Sequence, residues 1–259
     1  MLSLREKIRK RSARQNENRA DELMAEGRGD EARALYERSG SRYAQAKIPA
    51  SYITEMRQKV EEGTAFDIDV LNDARKAHYA IVDLLTKTLN ELKTYDGILM
   101  SSLDKSDRLN QENLVGQASE LTIQALFSRN FIKNENIIAV PADIKDDFKN
   151  GRQAHDLAVF SIYSPYEAIP VQVKTKVRGD HRKYYHDHIA LIGAENVCAR
   201  AGASLREVQE KLTEERHGTA NRNDELMNTI FENIIEEISQ TEQEYKRKMQ
   251  LGKLSCYNL

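Results

Sequence analysis

The spacing of apolar residues changes twice along the chain, and the changes divide it into three regions. Up to about residue 105 the period is helical: Ile81, Leu85, Leu89 and Leu92 step by four, four and three, which lays one apolar stripe on a long helix. Between Asp21 and Tyr43 small and apolar residues alternate with charges, and Gly27 and Gly29 break the run into two helices. Residues 111–192 have another texture. A helix around Glu112–Arg129 is followed by short β-branched runs at 136–140, 155–163, 168–176 and 188–193, and Ser164-Pro165-Tyr166-Glu167 joins the second and third as a hairpin. From Ser204 the helical period returns. Leu226, Ile230, Ile234 and Ile238 recur at every fourth place, Phe231 and Ile235 widen the stripe, and His217-Gly218-Thr219 separates two helices.

The pattern predicts an α+β protein in three parts: a helical region over 1–108, a mixed core over 109–200, and a helical extension over 201–259 that packs on the core or on a partner. Composition adds limits. With 40% hydrophobic and 31% charged residues and a mean hydropathy of -0.67, the chain reads as soluble, and its apolar runs are too short to span a bilayer. No apolar stretch near Met1 resembles a signal peptide, and Cys198 and Cys256 sit in no metal-ligand spacing, so a reduced, cytoplasmic setting is expected. A formal charge of -2 excludes a uniformly basic nucleic-acid-coating protein, although local fields matter more than the total. Residues 1–19 concentrate seven Lys/Arg against two Glu, which reads as a solvated helix face or as a phosphate-binding helix.

The candidate chemistry starts from Gln172-Val173-Lys174. The same pattern of acid or Gln, any residue, Lys recurs at Gln45, Glu91, Asp143, Asp147, Gln209 and Glu244, in helical or polar stretches. Only the copy at 172 lies in a β-type run. Strand alternation sets Gln172 and Lys174 on one face, with Val171 and Val173 on the other. The hairpin brings Asp156, which opens the preceding run, toward this strand, so a carboxylate, an amide oxygen and an ammonium can converge. Glu120 lies mid-helix in Gly116-Gln117-Ala118-Ser119-Glu120-Leu121, whose small residues permit close approach to a sheet. In the alternative reading Asp156 caps a strand, Gln172 and Lys174 decorate an edge strand, and Glu120 lies on a solvated helix face.

The order helix-Glu, strand-Asp, hairpin, Gln-x-Lys resembles the PD-(D/E)XK nuclease superfamily, and the Gln in place of the second acid is similar to Mrr-type restriction endonucleases. The stretches that carry the resemblance are GQASELTIQALFSRNF (116–131), AHDLAVF (154–160) and VQVKTK (171–176), about a third of the chain. The resemblance implies a restriction-endonuclease-like mixed β-sheet flanked by helices, and a Mg²⁺-dependent (or Mn²⁺-dependent) deoxyribonuclease in restriction or foreign-DNA defence. In that frame Asp156, the Gln172 oxygen and the Val173 carbonyl hold the metal, Glu120 holds a metal-bound water, and Lys174 orients or activates the attacking water. His155 stands where the superfamily's name has Pro. Too few residues separate Lys174 from the run at 188 for a full crossover helix, so either that run lies outside the core sheet or the crossover is unusual.

Between these runs, Lys176, Arg178, Arg182, Lys183, Tyr184 and Tyr185 form a basic-aromatic stretch suited to phosphates and bases, or an ordinary polar loop. His181, His186 and His188 lie in the same stretch, and the last two share a strand face at a spacing that can bind zinc. The stretch AEGRGDEARALYERSGSRYAQA is similar to a single tetratricopeptide-type hairpin with no second copy. DNA is the expected partner, with RNA also open, and a homodimer or partner protein is expected through the helical extensions. The rivals are a catalytically inactive binding or assembly module on a nuclease-like fold, and a toxin-type nuclease. No phosphate loop, dinucleotide fingerprint, His-Glu-x-x-His or Gly-x-Ser-x-Gly occurs.

Overall fold

A computed structural model of the chain describes residues 4–61, 68–134, 137–141, 156–161, 169–177, 189–216 and 225–256. The backbone divides into two units, Met1–Leu84 and Leu85–Leu259. The first is helical: α1 spans Leu4–Ala25, α2 Gly29–Ser39 and α3 Arg42–Glu61, and α4 (Ile68–Leu92) begins in it. The break between α1 and α2 falls where the glycines forecast it. Gly29 is there for space: a Cβ at this position would lie 1.5 Å from the Glu55 carboxylate, which pairs at 2.9 Å with the buried Arg33 guanidinium. Ala20 and Leu23 of α1 share a core with Ala32, Tyr36 and Ala44. Above it the Tyr36 and Tyr43 hydroxyls both donate to the Asp21 carboxylate, so polar tips are satisfied where apolar rings are buried.

The second unit holds a four-stranded sheet in the order β1-β2-β3-β4, where β1 is Ile137–Pro141, β2 Leu157–Ser161, β3 Ile169–Lys174 and β4 Ala190–Gly193. The first three strands are antiparallel in sequence, and β4 runs parallel to β3. The run at 188–193 therefore belongs to the core sheet. Of the two readings of the short crossover, the one that left this run out of the sheet is overturned, because Val171–Lys174 pair in register with Ala190–Gly193. The sheet also places β3 in the interior, between β2 and β4. Gln172 and Lys174 are thus not edge-strand residues.

The helix ahead of the sheet, α5 (Lys105–Asn134), is longer at both ends than the spacing predicted. Residue 108, the expected end of the helical region, falls in its first turn. Asp104 caps it, its carboxylate accepting from the Asp107 N–H at 2.8 Å. Leu121 to Phe127 are buried without interruption, which an amphipathic stripe does not explain. The helix packs on β1 and β3 on one side and on α6 (Ala194–Arg200), α7 (Leu205–Arg216) and α8 (Glu225–Cys256) elsewhere. Helix α6 was not legible in the sequence. The stripe of α8 is confirmed: Ile230 and Ile234 are fully buried, and Phe231 meets Phe127 edge to face at 5.4 Å. The stripe of α4 holds at Ile81 and Leu85 and loosens at Leu89 and Leu92. None of the helices is long and apolar enough to cross a membrane, among the described residues.

One ion pair ties α5 to α7. Arg129 holds Glu215 through two nitrogens at 2.9 Å, with side chains 7% and 10% exposed. Removing one member strands the other charge. Arg129→Ala should destabilise the second unit by about 3–5 kcal/mol, while the paired change Arg129→Met with Glu215→Leu should cost far less. Urea unfolding of the full chain checks this; equal penalties for the single and paired changes would contradict it.

Candidate functional site

Strand register decides which side chains can meet. Leu157 lies opposite Val171 and Val159 opposite Ile169, and Leu157, Val159, Val171 and Val173 are 0–4% exposed. This is the face covered by α5. Alternation turns Gln172 and Lys174 to the other face; Asp156 immediately precedes Leu157, the first paired residue of β2. Gln172 and Asp156 are half-buried and Lys174 is exposed.

Two hydrogen bonds tie Asp156 to β3. Its N–H donates to the Val171 carbonyl at 2.8 Å, and the Val173 N–H donates to its Oδ2 at 2.6 Å. The second bond replaces the next rung of the β2–β3 ladder with a carboxylate, a charge-assisted contact stronger than the rung it replaces. The strand-capping role weighed for Asp156 is therefore real, and the same bond holds the carboxylate at the Val173 N–H of β3. In an extended strand the N–H and carbonyl of one residue point to the same side, so the Val173 carbonyl is also turned toward the Asp156 end of β2.

Glu120 is placed differently. It is half-buried on α5, and the Ser119 hydroxyl beside it meets the Thr175 hydroxyl at 2.9 Å. Thr175 shares the parity of Val171 and Val173, so Glu120 rides on the helix that covers the apolar face, at the level where β3 ends. The structure sets the Asp156 carboxylate against the Val173 N–H of β3, the strand that carries Gln172 and Lys174 on one face; Glu120 lies on α5, one residue from the Ser119–Thr175 contact. Lys176, read as a phosphate contact, pairs with Glu195 at 3.2 Å. Arg178, Arg182, Lys183, Tyr184, Tyr185, the three histidines, His155, the 164–167 turn and the 217–219 break lie outside the described residues.

The donor set at Asp156, Gln172 and Val173 is all oxygen, which fits a hard divalent cation such as Mg²⁺ or Mn²⁺. It contains one carboxylate, and no cluster of three His, Cys, Asp or Glu side chains occurs among the described residues. Cys198 is buried and free, and burial first, then the Glu195 charge, pushes its thiol up to about 12.

Sequence reasoning missed the device that ends β3. The Glu195 N–H donates to the Thr175 carbonyl at 2.8 Å. Asn196 then clasps Val177 twice: its Oδ1 accepts the Val177 N–H at 3.0 Å, and its Nδ2 donates to the Val177 carbonyl at 3.2 Å. The clasp requires a glycine beneath it, since a Cβ on Gly193 would lie 2.4 Å from Asn196 Oδ1 and 3.0 Å from Val177 Cγ2. The one available signal was Gly193 itself, closing an apolar run. Because Leu191 pairs with Gln172 and Gly193 with Lys174, a cleft of about 500 Å³ lined by Leu191, Gly193, Asn196, Arg200 and Glu237 opens beside the polar face. No family model matches this chain, and no curated protein or solved structure matches it either.

The clasp is directly testable. Gly193→Ala should destabilise the chain by about 1–3 kcal/mol through overpacking, and in an Asn196→Ala background the penalty should fall by more than half. A double-mutant cycle in thermal or urea unfolding reads the coupling. Strict additivity would show that Asn196 does not fill the space above Gly193.

Proposed function

We propose that the second unit is a divalent-metal phosphodiesterase that cleaves DNA, with Asp156, Gln172 and Lys174 as its centre. The observation that carries this reading is the polar face of an interior strand. Gln172 and Lys174 share that face, and the Asp156 carboxylate accepts from the Val173 N–H between them in the chain, at the end of the β2–β3 ladder. Interior strands place apolar residues wherever a face is to be buried, and Gln172 and Lys174 on one such face, with a carboxylate held at the strand's backbone, have an economical explanation in chemistry. The chain order supports it as well: a helix, three antiparallel strands and a fourth strand parallel to the third suit the mixed core that the Gln-x-Lys resemblance implies.

In this reading Asp156, the Gln172 amide oxygen and the Val173 carbonyl hold Mg²⁺ or Mn²⁺, which supplies Lewis-acid stabilisation of the phosphate and a more acidic bound water. The chain does the rest. The Val173 N–H holds one carboxylate oxygen of Asp156 in place. Lys174, exposed at the strand's end, reaches solvent and a phosphodiester together, where its ammonium orients the attacking water and offsets charge that builds on the phosphate oxygens. Glu120, on α5, would hold a metal-bound water. The Gln172 amide keeps an oxygen ligand with one negative charge fewer than an acid would bring, so the site binds its cation weakly.

Supercoiled plasmid and an RNA transcript incubated with Mg²⁺, Mn²⁺ or EDTA test the activity. Cleavage of DNA that EDTA abolishes is expected. Lys174→Ala and Asp156→Asn should each lower the rate by several kcal/mol of transition-state stabilisation, on the order of a thousandfold, with melting temperatures near wild type. Asparagine keeps an acceptor for the Val173 N–H, so this variant separates chemistry from strand capping. Gln172→Glu should retain cleavage with a lower metal requirement, because ligand charge raises affinity for hard cations. Full activity in Lys174→Ala would overturn the assignment.

A further inference from the structure

The first half of α1 carries a charge pattern that the catalytic centre does not use. This helix is 22 residues long and α2 is 11, so at ~1.5 Å per residue α2 is long enough to flank only about half of it. Among the described side chains, those that engage the neighbouring helices lie in the later half. Ala20 and Leu23 enter the hairpin core, Asp21 accepts from two tyrosines, and Glu17 accepts from Ser39 and Ser41. The first fully buried residue of α1 among those described is Ala20.

The earlier half is basic. Residues 4–14 contain six Lys/Arg against Glu6 alone, and positions 7, 10, 11 and 14 recur at the spacing of one helix face. Lys10, Arg11 and Arg14 are exposed. Arg19, farther along, is already neutralised by Glu22 at 2.8 Å and Glu26 at 3.8 Å. Leu4 and Ile8 are the large apolar residues of the segment, too few for the apolar face a lipid-inserting helix needs. The stripe extends about 10 Å along the axis, and duplex nucleic acid presents one phosphate charge per ~1.7 Å. Charge density on that scale complements the stripe.

We propose that α1 from Leu4 to Arg14 is a docking arm for the phosphate backbone of nucleic acid, binding without sequence preference. The contact needs neither metal nor cleavage, so it goes beyond the catalytic reading and stands apart from it. It gives the chain a local grip on a polyanion despite its overall charge of -2.

The test is fluorescence anisotropy of the full chain in EDTA, with a short labelled DNA duplex and an RNA strand of the same sequence, from low to physiological salt. Combined Lys10→Ala, Arg11→Ala and Arg14→Ala should weaken binding at least about tenfold and reduce the slope of log K against log salt by roughly 2–3. Alanine favours helix, so circular dichroism should be unchanged. Arg19→Ala, which removes an already paired cation, should leave the slope as in wild type. The two labelled strands distinguish DNA from RNA as the preferred polyanion. An unchanged slope in the triple variant overturns the proposal, as does wild-type binding to phosphatidylserine vesicles with none to either nucleic acid. Salt-sensitive binding that the triple variant loses, combined with no plasmid cleavage by wild type, supports the arm and sinks only the catalytic reading.

Discussion

Helix α5 is buried over Leu121–Phe127 on every side, and that burial orients the second unit. A helix with apolar residues all round must be enclosed, and here the sheet supplies one wall while α6, α7 and α8 supply others. Because α5 takes the Val171 and Val173 face of β3, strand alternation leaves Gln172 and Lys174 on the other. Polar ties then fix the helix in place. Thr122 receives a hydrogen bond from Gln209 at 3.1 Å, Arg129 pairs with Glu215, and Ser119 meets Thr175. Each of these contacts depends on the rotation of α5 about its own axis, so the face of the sheet that stays polar is set by the same geometry.

The two ends of the β3 segment are held by different means. At the Asp156 end a carboxylate continues the ladder that β2 no longer supplies. Past Lys174 the chain leaves the sheet, and backbone groups of 175–177 find partners on α6 through Glu195 and Asn196. Buried or half-buried main-chain groups need such partners wherever a strand stops. The result is that Lys174 lies between two fixed points, although its own side chain is exposed. The cleft beside it is walled by Asn196 and by Arg200, which is itself anchored to Asn233, Glu236 and Glu237 of α8.

Much of this was legible in the amino-acid pattern, for identifiable reasons. The β-branched runs around Ile138, Val159, Val171 and Ile192 declared the strands, and the expected hairpin pairing of the second with the third is present as an antiparallel pair. The alternation at 171–174 gave the common face of Gln172 and Lys174. What alternation does not encode is lateral order, so the interior position of β3 and the parallel partner β4 were not readable from it. The enclosed character of α5 was hidden for a related reason: periodicity marks a one-sided helix, whereas this one has neighbours on several sides. Asn196 and Glu195 gave no signal because their role is to satisfy backbone atoms of residues 175–177, a contact that no side-chain pattern announces. Glu120 was read correctly as a helix residue next to small neighbours, and it lies one residue from the Ser119–Thr175 contact.

The central claim is that the oxygens of Asp156, Gln172 and Val173 form one divalent-cation site on the polar face of β3. Paramagnetic relaxation by Mn²⁺ of the backbone amides in isotope-labelled protein measures this most directly. The account predicts that signals of Leu157, Gln172, Val173 and Lys174 broaden first at low Mn²⁺, and that Asp156→Asn removes the effect while the sheet's other shifts stay in place. Broadening centred elsewhere in the chain, or undiminished in Asp156→Asn, would contradict it.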